Sequence, residues 1–268
     1  DSPEDLVFDS LHEVAFKNHP LSQTILGTPE SVRGFTADDL RDFTGAHYHA
    51  PACVISAAGN LDHQMLTDLV EEHFGGISSN APQSLEAPEF NAGEQHVVRD
   101  ELEQMQVMMG FKSITPHDEQ YYAAQLLSTL FGGGMSSRLF QQVREKRGLT
   151  YGVYTYLAAR DLSEAYLGSF SSANDKIGEA IDVIRAEWVK AATEGLTQRE
   201  LDDAKTYITG AYPLRFDGNG PIANILVGMQ MINLPIDYIP TRNDKVDAVT
   251  LEDVKRVAGY LLKPEALQ

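Results

Sequence analysis

Positive charge is scarce in this chain. Twenty-one Lys and Arg face thirty-nine Asp and Glu, a formal net charge of −18 over 268 residues. Phosphate backbones and anionic lipid surfaces are bound by neutralising cations, so a broad nucleic-acid or membrane-surface role is excluded. Cysteine is nearly absent: Cys53 stands alone, which rules out an intrachain disulfide and a paired-cysteine metal site and fits a reducing compartment. No apolar run is long enough to span a bilayer. No signal peptide opens the chain, and a start at Asp1 rather than Met reads as a trimmed or proteolysed product, so a lost leader stays open. No H-x-x-E-H or H-E-x-x-H occurs, and no Ser-His-Asp or Cys-His arrangement can be placed.

What is there is ordinary globular material. Apolar residues make up 43% and charged residues 22%, enough for one large domain or two average ones. Ser2-Pro3-Glu4 predicts a helix start, followed by Leu6, Leu11, Val14, Ala15 and Phe16 in helical rhythm. His12 on that helix reads as a packing residue, because nothing pairs with it as a ligand. Thr36-Ala37-Asp38-Asp39 is a capping box opening a helix with Leu40 and Phe43. His47, His49 and His63 invite a metal test, which they fail: no acidic partner stands at a recognisable spacing, and Pro51 follows at once. Ala52 to Gly59 predicts a buried strand, and Met65, Leu66, Leu69 and Val70 the apolar face of a further helix. The Ser-, Pro- and Ala-rich run from Ser78 to Phe90 carries no period and marks the linker.

Beyond it, residues 96–111 read as extended, and Thr115-Pro116 predicts the start of a helix lined by Tyr121, Tyr122, Leu126, Leu127 and Leu130. The stretch around which the chain is organised follows, FGGGMSSRLFQQVREKRGLTYGVY over 131–154. Gly132, Gly133 and Gly134 lack the spacing of either common nucleotide-binding motif and predict a tight turn beside a cleft. A helix with Leu139, Phe140 and Val143 on its apolar side ends in Arg144, Glu145, Lys146, Arg147 and Gly148. A tight basic cluster in so acidic a chain points to something anionic, or else to a solvated helix end. Arg144 and Tyr151 are the pair to single out, since an arginine can clamp a carboxylate or carbonyl and a tyrosine hydroxyl can donate to a developing oxyanion. The bland alternative is a structural arginine and a core-edge tyrosine. Residues 152–155 and 165–171 predict a strand pair, Ile177, Ile181, Ile184 and Trp188 a helix with Trp188 in the core, and Thr197 to Glu200 a second capping box. Further helices are expected up to Tyr212 and from Ile222 onward.

The chain also repeats itself. Val32 to Leu40 resembles Val246 to Val254, and each copy continues through a tyrosine (Tyr48, Tyr260) to a proline (Pro51, Pro264). The expected fold is therefore α+β with duplicated domains, each a mostly antiparallel sheet packed on helices: residues 1–80 the later part of an incomplete first domain, 81–95 a linker, and 96–268 a second domain whose last strand is missing.

The 131–154 stretch resembles the insulinase/pitrilysin family of zinc metallopeptidases, in particular its processing-peptidase-like bacterial branch. Residues 11–16, Leu26 to Thr28, Ser56 to Asn60 and His73 to Gly75 agree in order, so the resemblance covers nearly the whole chain. It implies a clamshell around an extended peptide or unfolded protein, hydrolysed at a zinc. The ligands of that zinc lie, by resemblance, before the segment matching Asp1, so no metal is expected in this chain, and zinc belongs to the parent or to a partner subunit. Arg144 and Tyr151 match the substrate-contacting arginine and tyrosine, with Gly132, Gly133 and Gly134 as accompanying substrate-binding positions. The implied assembly is a homodimer, or a heterodimer with a zinc-bearing subunit, and this chain alone is expected to be inactive. The alternatives are a non-catalytic partner subunit of a heterodimeric peptidase and an inert structural core subunit. The expected compartment is the bacterial cytoplasm, or the periplasm if a leader has been removed.

Overall fold

The computed structural model describes residues 2–80, 85–158, 160 and 162–263. It is a mixed α/β protein with one small antiparallel sheet and many helices, in agreement with the α+β reading. The residues gather into two compact units. One comprises 1–23, 88–210 and 237–268, the other 24–87 and 211–236.

The first unit holds the sheet. Strands β1 (Gln104–Lys112), β2 (Val153–Ala158) and β3 (Ala165–Ala173) lie in the order β1-β3-β2. Both pairings are antiparallel, with Val107 and Val153 both opposite Phe170. Alternation along β2 buries Val153 and Thr155 and exposes Tyr154 and Tyr156, the period of two that a strand with one covered face requires. Helix α1 (Pro3–Ala15), capped by the Ser2 hydroxyl as its sequence predicts, packs on β1, and Gly110 leaves room there for Leu11. Helices α5 (Tyr121–Gly132), α6 (Ile177–Thr193) and α10 (Leu251–Leu261) form one core with the sheet. At its centre Trp188 is fully buried, with the rings of Phe111, Phe131 and Tyr166 at 4.8, 5.3 and 6.0 Å. α7 (Gln198–Ala211) and α9 (Tyr238–Ala248) complete the unit. α5 begins later than Thr115-Pro116 suggested. Residues 115–120 form turns in which the Asp118 carboxylate accepts from the Gln120 N–H.

The second unit contains α2 (Pro29–Gly34), α3 (Ala37–His47), α4 (His63–Phe74) and α8 (Asn219–Met231). The Thr36–Asp39 box is formed in both directions. The strand expected over Ala52–Gly59 is not there. Ala52 closes a 3-10 turn and residues 53–58 form no ladder, with Val54 and Ile55 exposed, because the unit offers no second strand among the described residues and a strand needs a ladder partner for its backbone groups. Residues 264–268, after which the last strand of the second domain is expected to be missing, and part of the 81–95 linker fall outside the described residues.

The two copies of the repeat have opposite surroundings. On α10, Val254 and Val257 are buried, and the helix packs on α5 and α6. On α3, the equivalent Leu40 and Phe43 are exposed. In this 268-residue chain Leu261→Ala should therefore lower stability by about 2–5 kcal/mol. Leu40→Ala should change it by less than about 0.5 kcal/mol. Urea unfolding followed by the fluorescence of Trp188 for the first unit, and by far-UV circular dichroism for the helices of the second, measures both; equal losses would show that the α3 face is buried after all.

Candidate functional site

Helix α5 delivers the chain to the glycines. Its buried side, Ala123, Ala124, Leu126, Leu127, Leu130 and Phe131, carries it across β2. The crossing is close: a Cβ on Gly132 would meet the backbone nitrogen of Thr155 at 2.7 Å and its side chain closer still. Only glycine fits where two backbones approach in this way. Gly133 ends the helix, its N–H donating to Thr129 O at 3.2 Å, and a Cβ there would stand 2.6 Å from Thr129 Cα. Gly134 faces open space. Gly132 is thus buried against β2, whereas Gly133 and Gly134 line a cavity of about 790 Å³ together with Arg138, Glu187, Lys190 and Tyr207.

After the glycines the chain winds into a π-helical turn, Phe140–Glu145, rather than the regular α-helix expected. The wider winding keeps Leu139, Phe140 and Val143 inward, all three buried. Gly148, at φ +61°, closes the turn: its N–H donates to Arg144 O at 2.8 Å, and Leu149 N–H to Val143 O at 3.0 Å. This six-residue closure is one residue wider than the usual glycine helix stop, as the π winding requires. The positive φ explains why glycine stands at 148.

Arg138 anchors this turn to α7. Its guanidinium donates to both carboxylate oxygens of Glu200, at 2.9 and 3.0 Å, and to Gly195 O at 3.3 Å. Glu200 also completes the predicted capping box, accepting from Thr197 N–H at 2.7 Å while its own N–H donates to Thr197 Oγ1 at 3.2 Å. Burial by itself raises the Glu200 pKa, but hydrogen bonds from Thr197 and the paired Arg138 outweigh it and hold the carboxyl below its ordinary 4.5. Arg138 was missed by motif reading. The signal that could have found it is the Thr197–Glu200 box, whose carboxylate has oxygen lone pairs left over for a cation.

Arg144 stands in the π turn. Its guanidinium carbon lies 4.7 Å from the Phe140 ring centroid, and one nitrogen is 3.2 Å from Glu145 Oε1. Its side chain is 39% exposed, leaving most of its five donors for another partner. Tyr151 lies just before β2 and is 82% exposed, so its hydroxyl is open to solvent. A cavity of about 510 Å³ over the sheet is lined by Tyr151, Tyr154, Tyr156, Ser169 and Glu4. Gly133 and Gly134 line the first cavity and Tyr151 the second, and Arg144 lines neither. The histidines form no metal site. Among the described residues no three His, Cys, Asp or Glu side chains converge. His49 is buried with Nε2 2.6 Å from Ala46 O, and His47 stacks on Phe43. A zinc therefore does not fit the residues described here.

A carboxyl whose folded pKa is depressed stabilises the fold above its unfolded pKa and loses that contribution as pH falls through the folded value. Acidifying from pH 7 through about 4.5 and below should thus weaken the protein partly through Glu200. Glu200→Gln should be less stable than the parent at pH 7, and the gap should narrow by pH 3. Urea midpoints across this range test it; a gap that stays constant with pH would assign Glu200 a packing role only.

The family described as the peptidase M16 inactive domain matches residues 34–208. An uncharacterized zinc protease of Rickettsia bellii is 35% identical over 209 residues, covering 78% of this chain and 50% of that protein. One of Streptomyces coelicolor is 33% identical over 277 aligned positions, covering 98% of this chain and 59% of that protein. The chain therefore spans between half and three-fifths of the length of these curated relatives. A crystal structure of a peptidase M16 inactive domain from Pseudomonas fluorescens superposes with a TM-score of 0.90 at 24% identity, covering 98% of this chain and 63% of that one, which speaks for the fold. With the family matched across 34–208 and the fold shared, the resemblance read from the glycine–arginine–tyrosine stretch holds: this chain belongs to the peptidase M16 inactive domain family.

Proposed function

We propose that this chain is the substrate-holding part of a zinc-dependent endopeptidase, supplying contacts to an extended peptide or unfolded protein while the metal ligands come from another segment or subunit. One observation carries this reading. An exposed tyrosine hydroxyl and a partly exposed arginine, Tyr151 and Arg144, stand at either end of one tight, glycine-closed turn, in a chain whose relatives are named zinc proteases. The reading takes residues 1–80 as the later part of an incomplete first domain and 96–268 as a second, homologous domain, within an enzyme that closes as a clamshell around the peptide. The complete enzyme is a homodimer, or a heterodimer with a zinc-bearing subunit.

The roles follow from the side chains. When a peptide bond is attacked by water its carbonyl oxygen gains negative charge. A donor aimed at that oxygen binds the transition state more strongly than the substrate, which is what raises turnover. The Tyr151 hydroxyl is such a donor. Arg144 presents a fork of N–H groups suited to a carbonyl or carboxylate of the same peptide, and stacking on Phe140 limits the directions it samples. Gly133 and Gly134 carry no side chains to keep a peptide backbone at a distance. In the complete enzyme, polarisation of the scissile carbonyl and its water would be supplied by a zinc whose ligands come from another segment or subunit. Arg138 lies outside this set, because Glu200 already occupies it.

The test uses the full-length polypeptide containing this chain and an internally quenched peptide. Tyr151→Phe removes one hydroxyl from a largely exposed side chain. It should lower kcat by about tenfold to a thousandfold, up to the cost of a lost oxyanion donor, with the melting temperature unchanged. Arg144→Ala should raise KM as well as lower kcat. Wild-type turnover in Tyr151→Phe would remove the tyrosine from the reaction and overturn the reading.

A further inference from the structure

Arg144 and Tyr151 are seven residues apart, and nothing in the chain direction alone makes them act together. A series of contacts runs from Arg144 through two rings to Gly152, the residue that follows Tyr151. The Arg144 guanidinium carbon sits 4.7 Å from the Phe140 centroid. The Phe140 ring is buried, and its centroid lies 6.5 Å from that of Tyr154, the planes tilted by 48°. The Tyr154 ring in turn folds back over Gly152, the residue following Tyr151. A Cβ built on Gly152 would stand 2.6 Å from Tyr154 Cε2 and 3.0 Å from its hydroxyl oxygen. Gly152 is also held by Thr150, whose hydroxyl accepts from the Gly152 N–H at 3.1 Å and lies 2.8 Å from Gly152 O and 2.6 Å from Ser171 O.

We propose that Phe140 and Tyr154 form an aromatic brace that positions Arg144 and Tyr151 towards one substrate, and that Gly152 is glycine because the Tyr154 ring fills the place of its side chain. The inference rests on the substrate-contact reading given above. Gly152 is not among the glycines with positive φ, so its backbone does not demand glycine; a side chain there would instead displace the outer end of the Tyr154 ring. Phe140 supplies the fixed point. It is buried at the start of the π turn, and both the partly exposed guanidinium and the half-exposed tyrosine ring lean on it. Long exposed side chains otherwise sample many rotamers, and a group that must meet a reacting carbonyl gains by having that freedom removed beforehand. Phe140, Gly152 and Tyr154 are positioning residues, since none needs to touch the peptide.

The geometry supplies its own test. Gly152→Ala adds one methyl group that only the outer end of the Tyr154 ring must avoid, so the brace is displaced while Arg144, Tyr151 and the fold are kept. In the full-length polypeptide acting on an internally quenched peptide, Gly152→Ala and Tyr154→Ala should each lower kcat by about tenfold to a hundredfold, the cost of a small misplacement of a reacting group. Tyr154→Phe, which keeps the ring, should restore most of what Tyr154→Ala loses. Added to Tyr151→Phe, Gly152→Ala should cost much less than it does alone, because the group it misplaces is already gone. If Tyr151→Phe lowers kcat while Gly152→Ala and Tyr154→Ala leave it unchanged, the brace is overturned and the substrate contact stands. If Tyr151→Phe has no effect, both fall. Should Gly152→Ala lose the fold by its melting temperature, the ratio of Tyr154→Phe to Tyr154→Ala decides alone, and equal losses in the two overturn the brace.

Discussion

The close crossing of α5 over β2 at Gly132 is the constraint on which the rest of the first unit depends. The helix meets the strand at Thr155, and the surrounding polar groups are paired at the same point: Tyr166 donates its hydroxyl to Thr155 Oγ1 at 2.7 Å, and Ser128 Oγ lies 3.4 Å from Thr155 O. Burial raises the Tyr166 pKa despite that bond, which keeps the phenol neutral and donating. With both ends of the 133–152 segment tied to this crossing, the segment must leave and return within a short span. It does so by a turn after the glycines, a π-helical winding and a left-handed Gly148. The winding sends Phe140 inward and leaves Arg144 and Tyr151 outward. The exposed groups are thus placed by packing that they take no part in.

Much of this was legible in residue types. Capping boxes at Thr36, Thr197 and Thr250 use local side chains to satisfy local N–H groups, and local signals survive any tertiary context. The pairing of β2 with β3 and the burial of Trp188 followed from period and composition. The π winding was not legible, because its side-chain pattern over 139–143 is that of an α-helix and the extra width shows only in the folded bond from Leu149 N–H to Val143 O. Nor were the reasons for Gly132 and Gly152, whose missing side chains matter only against Thr155 and Tyr154, neighbours that appear once the chain has folded. For the site, the Arg144–Tyr151 pair was visible and the rings between them were not, since cross-contacts leave no spacing rule in the chain.

The failure at Ala52–Gly59 and the difference between α3 and α10 have one cause. Both copies of the repeat carry the same capping box and the same apolar side, so their intrinsic preference is the same and both form helices. Only α10 finds α5 and α6 to pack on. Burying a valine-sized side chain is worth roughly 1.5–3 kcal/mol, several times what a helix gains from local propensity. Helix formation can thus proceed without a partner layer, but a strand cannot, because its hydrogen bonds must come from a neighbour. Sequence periodicity therefore predicted α3 correctly and Ala52–Gly59 incorrectly, although the two segments lie side by side in the chain.

The charge distribution follows the same division between what packs and what projects. In a chain of net charge −18, the cations of the 138–147 segment are not spent alike. Arg138 is 10% exposed at its side chain and neutralised by Glu200, so it holds the turn to α7 and offers nothing outward. Arg147 donates to Gln142 O at 2.7 Å and secures the last winding. Arg144 pairs with a neighbour that is itself about half exposed, Glu145, a bond that water weakens and an incoming carbonyl or carboxylate can replace. The basic character that sets this stretch apart thus resolves into two structural arginines, an exposed Lys146 and one exchangeable arginine. The exchangeable one is the arginine stacked on the ring that leads to Tyr154 and, across Gly152, to Tyr151.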